Sequence, residues 1–144
     1  MLLEEFLLNA NKETYASGKK AIKKGKKHAF QHSEHDYDYL DIYTTMPNFF
    51  HGKTTVTLKN KKVFEMEYAG RNINGNEEKN YEFLRKALQH MPIHAPFRGP
   101  QKYVENNYEY LNNWRIKDKQ FDGEEEILFD NELFYELHYR GKFV

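Results

Sequence analysis

Three short stretches place an arginine beside an aromatic ring and a glycine: Tyr68-Ala69-Gly70-Arg71, Phe97-Arg98-Gly99 and Tyr139-Arg140-Gly141. A guanidinium fixed at a turn can fork onto a phosphate or carboxylate, a neighbouring ring can stack a base, and glycine lets a ligand approach the backbone. The same triplets also suit packing alone, with the ring in the core and the arginine stem lying along it. Other chemistry has thinner support. His32 and His35 stand in a polar segment without a third ligand at a recognisable spacing, and Pro92 breaks the helical turn that His90 and His94 would need, so no metal is expected. Neither Ser17 nor Ser33 sits in a nucleophile-elbow pattern, and no phosphate-cradling glycine loop or dinucleotide fingerprint is present. Asp41, Glu67 and His138 are acid–base candidates of a kind that any chain of this composition contains. No catalytic residue and no cofactor is therefore assigned; an enzyme of unknown type stands only as a further alternative.

The elements that must position these residues follow from periodicity. Leu2, Leu3, Phe6, Leu7 and Ala10 recur at helical spacing, which predicts an amphipathic helix to about residue 13. Lys19, Lys20, Lys23, Lys24, Lys26 and Lys27 then crowd a stretch that reads as a solvated loop or a phosphate-attracting arm. Alternation over 37–43 predicts a strand, and 53–58 with 63–68 an antiparallel hairpin turning at 59–62. Asn76 ahead of Glu77 and Glu78 is an N-cap signal, and Tyr81, Leu84, Leu88 and Met91 carry a second helix up to Pro92. Three prolines and a glycine make 92–100 a stiff loop around Phe97 and Arg98. Strands over 108–116, 119–129 (with a bulge at Gly123) and 133–139 complete the reading. The expected class is α+β: a curved antiparallel sheet of about five or six strands with two helices packed on it, forming a single domain over 1–144 without internal repeat.

Composition bounds the function. Twenty-two basic and 22 acidic side chains cancel, leaving no global field to hold duplex DNA. The absence of cysteine fits a reducing, cytoplasmic setting, and the interrupted apolar run Leu2–Leu8 argues against membrane insertion or secretion. Aromatic residues make up 16% of the chain and must supply much of the core.

Five segments in fixed order give the chain a resemblance: Tyr15-Ala16-Ser17-Gly18-Lys19, Tyr37-Asp38-Tyr39-Leu40-Asp41 with Tyr43, Met66-Glu67-Tyr68-Ala69-Gly70-Arg71, Ala95-Pro96-Phe97-Arg98-Gly99-Pro100, and Tyr135-Glu136-Leu137-His138-Tyr139-Arg140-Gly141. The series resembles the bacterial domain-of-unknown-function family numbered 5680 over nearly the whole chain, departing from it across Thr44–Phe50 and near Phe64. That resemblance implies a compact domain, in some relatives attached to a helix-turn-helix module, which is not expected within residues 1–144, and a bacterial or phage host. It adds weight to Tyr15, Lys19, Asp41, Tyr68, Arg71, Phe97 and Arg98 as a shared pocket.

The resulting expectation is a binding domain without chemistry. It would hold a small anionic, nucleotide-like ligand through Arg71, Arg98 and Lys19, with Tyr15, Tyr68 or Phe97 stacking, and act as a sensor or as a sequestering protein for a signalling nucleotide, for instance one used in antiphage defence. The alternative is a protein-interaction, homo-oligomerising or inhibitor module anchored by tyrosines and Trp114. Single-stranded nucleic-acid binding on an aromatic sheet face is a third reading, against which the balanced charge argues.

Overall fold

Turn chemistry organises most of the chain. His35-Asp36, Lys59-Asn60 and Asp130-Asn131 all adopt positive φ, the geometry of tight two-residue hairpins whose twist matches that of the strands they join. In the computed structural model, which describes residues 1–144, these and similar turns link α1 (Leu3–Glu13), a 3-10 turn (Tyr15–Ser17), β1 (Ile22–Lys24), β2 (Lys27–Glu34), β3 (Tyr37–Met46), β4 (Phe49–Leu58), β5 (Lys61–Asn72), α2 (Glu77–Leu88), β6 (Lys102–Glu105), β7 (Tyr108–Lys117), β8 (Gln120–Phe129) and β9 (Glu132–Phe143). All nine strands form one antiparallel sheet in the order β1-β2-β3-β4-β5-β9-β8-β7-β6.

The α+β class and the two helices agree with the sequence reading, but the sheet is open and has nine strands, not a curved five or six. Three strands account for the difference. The lysine-rich stretch is a hairpin, β1–β2, turning at Gly25 with φ 65°. Lys23 and Lys24 on the edge strand and Lys26 and Lys27 at its turn are exposed, and charge at a sheet edge discourages pairing with another chain. β6 is a four-residue edge directly after the proline-rich loop. Asn76 caps α2 by accepting from the Lys79 amide, and the helix ends at Leu88, ahead of Met91. No helix is long and apolar enough to cross a membrane.

An internal duplication is present, contrary to the reading of an unrepeated chain. Residues 37–71 and 108–142 correspond at an offset of 71, with identical pairs Tyr37/Tyr108, Tyr39/Tyr110, Leu40/Leu111, Phe50/Phe121, Gly52/Gly123, Asn60/Asn131, Glu65/Glu136, Tyr68/Tyr139 and Gly70/Gly141. The backbone repeats with the sequence: the register of β4 with β5 shifts between Val56 and Thr57, and that of β8 with β9 at the equivalent Ile127 and Leu128. Gly123 is therefore not the bulge. Both helices carry Phe-Leu-x-x-Ala (Phe6, Leu7, Ala10; Phe83, Leu84, Ala87), and all six side chains are buried. Phe6 stacks on Tyr37 and Phe83 on the equivalent Tyr108, each at 4.9 Å. Where β5 meets β9, Tyr68 pairs with its own counterpart Tyr139, so the two halves are related by a pseudo-twofold axis passing through that pair.

One sheet face carries both helices and the core; each fully buried large side chain there contributes roughly 1.5–3 kcal/mol. The other face is polar. In register across it run Lys53, Glu67, Arg140, Asp122 and Arg115, alternating in sign from strand to strand as a solvated face can.

Candidate functional site

A cavity of about 230 Å³ opens between the first half of the sheet, the two helices and the 92–100 loop. Its buried end is formed by Asp41, Thr54, Tyr68, Phe97 and Arg98, and its half-buried rim includes Tyr15, His28, Tyr43, Tyr81 and Arg85. The register explains the convergence. Lys23, His28, Tyr43, Gly52 and Tyr68 occupy one row across β1 to β5, so their side chains fall on the same face. Gly52 leaves the gap in that row over which the Tyr68 ring lies: a Cβ there would stand 2.6 Å from the Tyr68 hydroxyl oxygen.

That reach brings the Tyr68 hydroxyl onto Asp41. It donates to Oδ1 at 2.6 Å, and the Thr54 hydroxyl donates to the same oxygen at 3.2 Å. Both donors use Oδ1, and Oδ2 of this cavity-lining carboxylate accepts no side-chain hydrogen bond. Burial pushes the Asp41 carboxyl up to about 6, against the opposing pull of the Tyr68 hydrogen bond, the Arg98 charge and the Thr54 hydrogen bond. Burial also raises the phenols: Tyr43 is pushed up to about 12, and Tyr15, Tyr39 and Tyr68 rise too, so all stay neutral hydrogen-bonding groups at physiological pH. On the rim, His28 stacks on Tyr43 at 4.9 Å, and burial, then Lys23, lower its pKa. The Arg85 guanidinium lies 5.9 Å from the Tyr15 ring centroid and has no carboxylate partner at salt-bridge distance.

Arg98 is committed elsewhere. Its Nε and Nη2 donate to the two oxygens of Glu125 at 2.8 and 2.9 Å, and that fully buried carboxylate also accepts from the Tyr110 and Tyr135 hydroxyls. Burial disfavours the guanidinium charge, but Glu125, together with Tyr135 and Tyr110, more than offsets this and holds the pKa above its ordinary value. The loop bearing Arg98 is fixed from both sides, with the Gly99 amide donating to the Tyr110 hydroxyl and Asn112 Nδ2 donating to the Gly99 carbonyl. Arg98 thus ties the loop to the second half of the sheet while one side of it faces the cavity.

Of the seven residues singled out in the sequence, Tyr15, Asp41, Tyr68, Phe97 and Arg98 line this cavity and Lys19 and Arg71 do not. Lys19 is exposed and paired with Glu13 at 3.3 Å; Arg71 lies on the outer sheet face, bonded to Glu136 at 2.7 Å. The three arginine-bearing triplets do not converge, because Arg71 and Arg140 are strand residues pointing away from the helices. Trp114 is half-buried, its ring centroid 6.1 Å from that of His94. The sequence reading missed His28, Tyr39, Tyr43, Thr54, Tyr81 and Arg85. The alternation through Tyr39 and Tyr43 and the helical spacing of Tyr81 and Arg85 were signals available for four of them. No three His, Asp or Glu side chains are grouped as a metal site would require.

No curated protein and no solved structure matches the chain. A family profile does match, that of Domain of unknown function (DUF5680), over residues 41–144, from within β3 to the end of the chain. This span holds most of both repeats, the 92–100 loop and the Asp41 end of the cavity, and by that match the chain belongs to the DUF5680 family.

Proposed function

We propose that the cavity binds one small, ring-bearing anionic molecule of the mononucleotide type without transforming it, and that the protein acts as a sensor or sequestering protein for that molecule. The reading is carried by the polarity of the cavity: a buried carboxylate with one oxygen unclaimed by the protein at the closed end, and an arginine without a carboxylate partner at the open end. Aromatic walls lie between them, suited to a planar ring. The ligand's hydrogen-bond donors face inward and its anionic group outward, toward Arg85 and the Lys23 side of the β1–β2 hairpin. The anion-binding part assigned in the sequence to Lys19, Arg71 and Arg98 passes to Arg85, since the first two lie outside the cavity and the third is neutralised by Glu125. At about 230 Å³ the space lies below the range typical of drug-sized ligands. It suits a single base with its sugar and phosphate extending past the rim, and is too small to enclose a dinucleotide.

Arg85 is half-buried at the cavity rim and has no carboxylate partner, so replacing it should affect the ligand more than the fold. Arg85→Ala is expected to weaken binding of a mononucleotide roughly tenfold or more, the effect of one charge-assisted hydrogen bond, with the unfolding midpoint nearly unchanged. Isothermal titration checks this, and an affinity equal to wild type would remove Arg85 from the site.

A further inference from the structure

The duplication supplies a comparison for the closed end of the cavity within the molecule itself. In each half two residues face one another across adjacent strands at the same register, Asp41 with Thr54 and Asn112 with Glu125, and each pair holds one carboxylate. Equivalent phenols serve both: Tyr68 donates to Asp41 as Tyr139 donates to Asn112. In the second half the carboxylate receives a planar nitrogen fork, since Arg98 Nε and Nη2 occupy both oxygens of Glu125. In the first half no arginine enters. Asp41 receives two hydroxyls, both on Oδ1, and Oδ2 keeps its acceptor capacity. Arg98 lines the same cavity, and its remaining nitrogen, Nη1, takes no part in the bonds to Glu125.

Resting on the reading of the cavity as a mononucleotide site, we propose that the buried edge of the ligand carries adjacent N–H donors next to a carbonyl oxygen, as guanine does at N1, N2 and O6. The N–H groups bond Asp41 Oδ2 and the oxygen accepts from Arg98 Nη1. Asp41 thereby takes planar nitrogen donors from the ligand where Glu125 takes them from Arg98. Adenine would set its N1 lone pair against the carboxylate and offer no oxygen to the guanidinium, leaving buried polar groups unpaired. Hypoxanthine lacks the 2-amino group and keeps only part of the pattern.

The test is calorimetric titration of the full chain with GMP, IMP and AMP at pH 7.5, on wild type and on Asp41→Asn. Affinity is expected to fall in the order GMP, IMP, AMP, with AMP roughly 10- to 100-fold weaker than GMP, and Asp41→Asn should bring GMP down to within a few-fold of AMP. AMP binding as tightly as GMP, with both weakened by Arg85→Ala, would overturn the donor-edge assignment and leave the mononucleotide site standing. No heat with any of the three would overturn both. The wild-type ranking decides the inference even if Asp41→Asn folds poorly, and GMP affinity undiminished in a folded Asp41→Asn would also overturn it.

Discussion

Asp41 combines two demands that oppose one another. Its carboxyl titrates near 6 in the folded protein against an ordinary value of 3.8, with burial as the largest cause. A raised carboxyl pKa means that the protonated form favours folding. That contribution is complete below about pH 4, declines as pH rises through 6, and leaves the ionised group opposing the fold at higher pH by roughly 2 to 3 kcal/mol. Asp41→Asn keeps an oxygen to accept from Tyr68 and Thr54, so urea denaturation should find it about 1 to 3 kcal/mol more stable than wild type at pH 8 and nearly equal at pH 4. Equal stability at both pH values would contradict the burial argument. Arg98 makes the opposite prediction. Removing it leaves Glu125 buried without its cation, so Arg98→Ala should cost about 3 to 5 kcal/mol; a loss below 1 kcal/mol in the same assay would show the pair to be dispensable. The arginine that stood out most in the sequence is thus bound to the fold first. Its partner Glu125 was not foreseeable there, being one of several acids in the run from Asp122 to Glu126.

The strands legible in the sequence are those in which rings or apolar side chains recur at alternate positions, such as Tyr37, Tyr39 and Tyr43 in β3 and Phe64, Met66 and Tyr68 in β5. β1 and β2 were missed because lysine and histidine fill positions that face solvent or the cavity rim, so no apolar alternation marks them. The duplication was obscured for a related reason. It keeps the residues that cross the sheet, tyrosines and glycines, while its turns differ (Pro47-Asn48 against Asp118-Lys119) and its helices follow an offset of 77 instead of 71. Gly52 and Gly123 test this level directly, because each lies beneath a tyrosine of the next strand. Gly52→Ala and Gly123→Ala should each destabilise by about 1 to 3 kcal/mol through overpacking, measured by thermal unfolding. Only Gly52→Ala displaces Tyr68 from Asp41 and should also weaken mononucleotide binding. Equal loss of binding in both would mean that the cavity depends on overall stability and not on the Tyr68–Asp41 contact.

At the scale of the whole molecule, two similar halves share one sheet and differ in what fills the space above it. The second half is closed by its own loop through Arg98 and Glu125, whereas the first half holds the cavity. Stability should follow the symmetry. Amide exchange is expected to be slowest along β5 and β9, where the halves pair, and fastest in β1 and β6 at the free edges; uniform protection would argue against the seam as the organising contact. The central claim, that the first half is a site for a single mononucleotide-type ligand, is tested most directly by a thermal-shift panel of mononucleotides, cyclic and linear dinucleotides and ADP-ribose derivatives, with mass spectrometry of small molecules released on denaturation. Saturation at ~100 times the dissociation constant adds about 2.7 kcal/mol, so one mononucleotide should raise the midpoint by roughly 5 to 10 °C while dinucleotides leave it unmoved. A flat panel with no small molecule released would contradict the account.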